Sequence, residues 1–162
     1  MPWKTTLKRA KKDKEEGKAP STQAGEFVHE EMEHIRRGKH GARNTKQAIA
    51  IGLSKARRAG VNLPPPKAGS SDKVKKQAAR DSTVGQKKST RKPSAKRSRA
   101  TTNALRREGR GAVSHRALSK QGRSAAKKRT ASSRSAAARR SRSSRITAAK
   151  KAASTRQHRR AA

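Results

Sequence analysis

The stretch Asn44-Thr45-Lys46-Gln47-Ala48-Ile49-Ala50-Ile51-Gly52-Leu53-Ser54-Lys55-Ala56-Arg57-Arg58-Ala59-Gly60 is the most strongly patterned part of the sequence. At 100° per residue Ala48, Ile49, Gly52, Leu53, Ala56 and Ala59 share one arc, which predicts an amphipathic helix over about 45–59. Asn44 is an N-cap residue type, and Gln47 three positions later completes a capping-box-like signature. Gly60 supplies the stop.

Moving toward the N-terminus, Phe27, Val28, Met32 and Ile35 fall within one arc of about 140°, while Glu26, Glu30, Glu33 and Arg37 lie mostly outside it. This predicts a second helix over about 22–37, capped by Ser21 or Thr22, braced by the i,i+4 pair Glu33–Arg37 and ended by Gly38. The loop 39–43 joins the two as a helical hairpin, with Phe27, Val28, Met32, Ile35, Ile49 and Leu53 as its core. About forty residues is near the lower limit for a self-sufficient core, and there is no cysteine to add a disulfide or a thiolate metal site. Oligomerisation is the remaining route, and Gly52 with its neighbouring alanines would admit a second helix closely, so a homodimer through the hairpin is the expectation.

Outward from the hairpin the character changes. Residues 1–66 carry 15 basic and 7 acidic side chains, whereas residues 67–162 carry 31 and 3. Pro64, Pro65 and Pro66 mark the boundary, because three prolines forbid a helix and favour an extended spacer. The expected organisation is a basic mobile arm over 1–20, the hairpin domain over 21–63, the proline linker 64–66 and a disordered Lys/Arg/Ala/Ser-rich tail over 67–162. The tail's sizeable aliphatics are Val74, Val84, Leu105, Val113, Leu118 and Ile146, too few for a core of their own. Stretches at 103–107, 112–120 and 135–153 are read as conditional helices that form once their charge is neutralised. The fold class expected is therefore a mostly disordered chain with a small all-α part, which argues against a single large globular domain.

A formal charge of +36 in 162 residues calls for a polyanion. The residues expected to carry nucleic-acid binding are Arg91, Lys92, Lys96, Arg97, Arg99, Arg106, Arg107, Lys127, Lys128, Arg129, Arg139, Arg140, Lys150, Lys151, Arg159 and Arg160. Duplex DNA carries about one charge per 1.7 Å of axis, so the tail's net +28 would match about 14 base pairs if every contact formed. The tail has no aromatic residue for base stacking and no scaffold to hold an arginine against a base edge, so binding without sequence reading is expected, duplex DNA ahead of RNA. The hairpin could be read as a helix-turn-helix with Lys46, Lys55, Arg57 and Arg58 on its outer face, but such domains generally use at least three helices.

Other chemistries find little support. His29 and His34 are five apart and about 140° around a helix, so they do not form the paired ligands of a zincin, and neither a metal nor a cofactor is expected. No GxxxxGK phosphate loop is present, and no catalytic constellation stands out, so the chain is not expected to be an enzyme. The charged N-terminus holds no signal-peptide core, no stretch approaches the roughly 20 apolar residues of a membrane span, and the tail lacks the bulky face of an interfacial helix. A cytoplasmic protein at the bacterial nucleoid, without a membrane partner, is the expectation.

The runs Gly25-Glu26-Phe27-Val28-His29-Glu30-Glu31-Met32, Gly38-Lys39-His40 and above all Thr45 to Ala56 resemble a family of small bacterial domains of unknown function, over roughly residues 20–66. Members are sometimes labelled plasmid stabilisation or DNA-binding proteins. The resemblance implies a bacterial origin and a helical hairpin, and it brings no catalytic residues. The tail is similar in composition to linker-histone tails and to bacterial histone-like proteins. The function expected is that of a non-specific, charge-driven DNA-binding protein of nucleoid-associated or plasmid-maintenance type. The alternatives are an RNA- or ribosome-associated basic protein and an adaptor that recognises a protein through the hairpin.

Overall fold

The computed structural model describes residues 2–66, 69–87 and 94–128, together with 135, 138, 139, 142, 143, 146 and 147. Six α-helices appear among them: α1 Lys4–Glu15, α2 Pro20–Arg36, α3 Thr45–Arg58, α4 Asp72–Gln86, α5 Ala95–Arg106 and α6 His115–Lys127, with a 3₁₀ turn Gly111–Val113 before α6 and no strand among the described residues. Residues 1–121 form one compact unit. The second unit, residues 122–162, is described at the end of α6 and at seven further helical positions. The expectation of a mostly disordered chain is overturned, and with it the argument against a large globular unit.

The predicted hairpin is present as α2 and α3. Asn44 Oδ1 accepts from the Gln47 backbone N–H at 2.9 Å, and Gln47 Oε1 accepts from the Arg43 N–H at 2.8 Å, so the cap forms with its return bond one residue earlier than in a standard box. Gly38 and Gly60 adopt the left-handed conformation (φ 73° and 89°) that a side chain would resist. Each closes a Schellman motif: Gly38 N–H bonds Ile35 O and Lys39 N–H bonds His34 O, while Gly60 N–H bonds Arg57 O and Val61 N–H bonds Ala56 O. The start of α2 differs from expectation. The helix begins at Pro20 behind Ala19, with no side-chain cap, because proline's fixed φ suits the first helical position and Ser21 and Thr22 already lie inside the helix.

Gly52 lies so close to α2 that a Cβ there would approach Val28 Cα to 2.7 Å. The small-residue face that the sequence offers to a second copy is thus covered by α2 of the same chain. The core has two parts. Phe27 joins Ala10, Ala24 and Ala56, with Leu53, Val61 and Leu63 at its edge. Ile35 joins Ala42, Ala48, Ala112 and Val113, with Met32 beside it. Val28 and Ile49 are half-buried.

Residues expected to be a mobile arm and a disordered tail complete both parts. Helix α1 packs on α2 through Ala10 and the Arg9–Glu26 ion pair at 3.6 Å. Helix α4 packs on α3 around Asp81, which is 1% exposed and accepts from Ser54 Oγ (2.6 Å), Arg58 Nε (2.7 Å) and Gln77 Nε2 (2.9 Å). The last turn of α5 and the segment after it close the loop end of the hairpin. Gly41 and Ala42 N–H bond Leu105 O and Gly109 O, and Thr45 Oγ1 donates to Ala112 O at 2.6 Å. Ala112 and Val113, from the segment expected to be a tail, are thus inserted into the hairpin's core. Among the described residues, no helix is long and apolar enough to cross a membrane.

Candidate functional site

Two features stand out, one outside and one inside. The outer feature is cationic. Lys96, Arg97, Arg99 and Arg106 lie on α5 with Arg107 at its C-cap, Lys127 ends α6 and Lys128 follows it. All are exposed, as is Arg139, and neither α5 nor α6 buries a residue. At 100° per residue Lys96, Arg99, Arg106 and Arg107 share an arc of about 100°, one cationic stripe. Arg91, Lys92, Arg129, Arg140, Lys150, Lys151, Arg159 and Arg160 lie outside the described residues.

The charge that remains for a partner follows from what is already paired. All ten acidic side chains of the chain lie within 4.0 Å of a basic one. Among the described residues, no carboxylate faces Lys96, Arg97, Arg99, Arg106, Arg107, Lys127 or Lys128 within that distance. The second helix of the hairpin is different. Lys55 donates to Glu31, Arg58 to Asp81, and Arg57 to the Pro64 carbonyl at 3.3 Å. Three of the four cations of the helix-turn-helix reading are therefore engaged inside the molecule, and Lys55 points inward rather than outward.

The inner feature is a polar cluster on α2, in which Glu30 and His34 lie outside the apolar arc and Glu31 lies inside it, between Phe27 and Ile35. Glu30 and Glu31 are 1% and 0% exposed and His34 is buried as well, because α1, α3 and the 3₁₀ turn all pack against α2. The Schellman turn at Gly38 folds the chain back so that His40 reaches Glu31, with Nε2 at 3.2 Å from Oε1. Lys55 Nζ holds the other oxygen of Glu31 at 2.5 Å and stands 3.4 Å from His34 Nδ1. Trp3 covers the group, its backbone N–H donating to Glu30 Oε2 at 3.1 Å and its ring meeting His34 edge-on at 4.7 Å. Arg37 and Lys39 lie over the indole at 5.2 and 5.0 Å. Burial first, then the Lys55 and Lys39 charges, hold the His34 imidazole below its ordinary titration range, although the two glutamates pull the other way.

Several polar atoms of this cluster are left over. Glu30 Oε1, Glu31 Oε1 and His34 Nε2 are buried without a hydrogen bond. One ligating atom from each of Glu31, His34 and His40 lies within 4.8 Å of the others. The sequence signal for this group is Glu31-x-x-His34, an i,i+3 pair on one helix face, followed by a glycine stop that returns a histidine six positions on. The pair His29 and His34 remains apart, His29 being exposed.

Residues 6–67 match the model of a family described only as a family of unknown function (DUF6496). The match runs from within α1 to the end of the proline run, so it covers Glu30, Glu31, His34, His40 and Lys55 of the inner cluster and leaves out Trp3, α4, α5 and α6. Neither a curated protein nor a solved structure matches the chain. Over its first three helices the chain is thus similar to a family of unknown function.

Proposed function

We propose that the protein binds nucleic acid through charge, duplex DNA ahead of RNA, without reading sequence, and that it serves to coat or maintain DNA in a bacterial cell. The observation that carries this reading is the exposed, uncompensated charge of residues 94–128, where eleven lysines and arginines stand with one glutamate. A helix that buries none of its residues and repeats Lys or Arg along one face gains little as part of a core. Along a phosphate backbone the same face releases condensed counterions, which is the main source of affinity for binding of this type. Because no aromatic residue occurs after Phe27, stacking on unpaired bases contributes nothing in this region.

The test uses the full chain and a variant with Lys96, Arg97, Arg99, Arg106, Arg107 and Lys127 changed to glutamine, each titrated with random-sequence duplexes between 50 and 300 mM salt. The wild type is expected to bind unrelated duplexes alike. Its salt slope should fall by up to about 5 in the variant, at about 0.9 for every phosphate that a neutralised side chain no longer meets. A slope unchanged by six neutralisations would overturn the assignment to α5 and α6. Preference for structured RNA in direct competition would move the reading to RNA.

A further inference from the structure

We propose that Glu31, His34 and His40 form a binding site for a divalent transition-metal ion of the Zn2+ class, closed on one side by Lys55 and covered by Trp3. Proton positions decide what this cluster lacks. His40 Nδ1 lies 3.1 Å from its neighbour's carbonyl, Gly41 O, and a carbonyl only accepts, so Nδ1 carries the hydrogen. In the neutral ring Nε2 then presents a lone pair, and what it faces at 3.2 Å is Glu31 Oε1, a buried carboxylate oxygen without a hydrogen bond. Two lone pairs at that separation repel each other, and a metal ion between them removes the repulsion while leaving the ring neutral, where the alternative is a second proton on the ring.

The spacing also fits. Ligands held at about 2.0–2.1 Å around a tetrahedral ion stand about 3.3 Å apart, close to the Glu31–His40 distance. A ligating nitrogen of His34 lies within 4.8 Å of the other two, so a side-chain movement of no more than about 1.5 Å lets it join. A ligating histidine usually gives its other N–H to a backbone carbonyl or carboxylate, as His40 does to Gly41. Lys55 on Glu31 Oε2 fixes the carboxylate while leaving Oε1 to the ion.

Charge points the same way. Glu30 and Glu31 are buried carboxylates, and Lys55 is the cation that contacts them directly. Two imidazoles and a carboxylate are the donor set of zinc and its neighbours rather than of magnesium or calcium, which prefer all-oxygen shells. An ion there would tie the end of α2 to the loop before α3, in a domain without any disulfide.

The test is titration of the intact, untagged, chelator-treated chain with Zn2+ by calorimetry, and with Co2+ by visible absorption. One ion per chain is expected, with the absorption of four-coordinate Co2+ and a melting temperature that rises with Zn2+. His40→Ala alters a loop side chain and should leave the far-ultraviolet circular dichroism unchanged while lowering affinity at least tenfold. The control His29→Ala should bind like the wild type. Glu31→Gln, which keeps the shape of the side chain, should also weaken binding. The proposal is overturned if Zn2+ does not bind saturably, or if His40→Ala binds as the wild type does. It is also overturned if nuclear magnetic resonance finds His40 doubly protonated at neutral pH with Zn2+ present, since a histidinium–glutamate pair would then fill the gap.

Discussion

Replacing Asp81 by alanine tests whether α4 is an integral part of the fold. The substitution removes three hydrogen bonds, from Ser54, Arg58 and Gln77. All three end on a carboxylate, so each contributes about 1.5–3 kcal/mol before the cost of burying that carboxylate is taken off. Two effects reduce that gross figure. Arg58 is 54% exposed, so its guanidinium regains water once the carboxylate is gone, which places its bond at the lower end of that range. Alanine also spares the desolvation of a carboxylate that is 1% exposed and favours the helix by about 0.5 kcal/mol. The net expectation is a destabilisation of about 2 kcal/mol. With an m-value of about 1.5 kcal/mol/M, the urea midpoint followed by circular dichroism should fall by about 1.3 M. Asp81→Asn should cost no less, because its amide brings two further donors to a pocket already holding three. If both variants unfold within about 0.3 M of the wild type, this network does not hold α4 on α3.

Gly52→Ala reverses the usual sign of a glycine-to-alanine change within a helix, which ordinarily stabilises by about 1 kcal/mol. Here the new Cβ would stand 2.7 Å from Val28 Cα, so a destabilisation of about 2 kcal/mol is expected from overpacking, and a stabilised variant would show that the helices can separate freely. Val113→Asp places a carboxylate among Ile35, Ala42 and Ala48, at an expected cost of about 3 kcal/mol. The local readout is amide exchange at Gly41 and Ala42, whose N–H groups bond Leu105 O and Gly109 O. Exchange should speed up at these two amides before the α2–α3 contact is affected, and unchanged protection would mean that the segment does not close the hairpin.

What the sequence reveals here is what is local. The Asn44 cap, the Gly38 and Gly60 stops and the arcs of α2 and α3 each depend on a few neighbouring residues, and all are legible. Helices α1 and α4 are not, because they dock through Ala10, Ala78 and the carboxylate of Asp81 rather than through large aliphatics. Counting Val, Leu and Ile after residue 66 measures whether the tail can build a core. It does not measure whether the tail can complete one, and Val113 is buried in the hairpin's while Val74 and Val84 stay exposed. The inner cluster is hidden for a related reason. One apolar arc on α2 implies one packing partner, whereas α2 has three, so Glu30 and His34 are covered although they lie off the arc, and Glu31, which lies inside it between Phe27 and Ile35, is buried with them. His40 belongs to no helix, and only the turn at Gly38 brings it to Glu31.

The same geometry explains how so cationic a chain folds at all. The contact of α1 with α2 contains Arg9–Glu26, that of α2 with α3 Lys55–Glu31, that of α3 with α4 Arg58–Asp81, and the return of the chain after α5 brings Glu108 to Arg43. Each interface thus carries a carboxylate opposite a cation, which offsets the repulsion that would otherwise oppose closing that contact. Five of the ten acids, Glu26, Glu30, Glu31, Asp81 and Glu108, serve such contacts, and the cations of α5 and α6, the helices that bury no residue, have no carboxylate partner among the described residues. Removing an interface acid should therefore weaken the fold more than removing a cation from α5 or α6, because it deletes an attraction and leaves one more like charge inside the contact. Charge on α5 and α6 can vary with little effect on the core, which leaves those helices suited to a polyanionic partner.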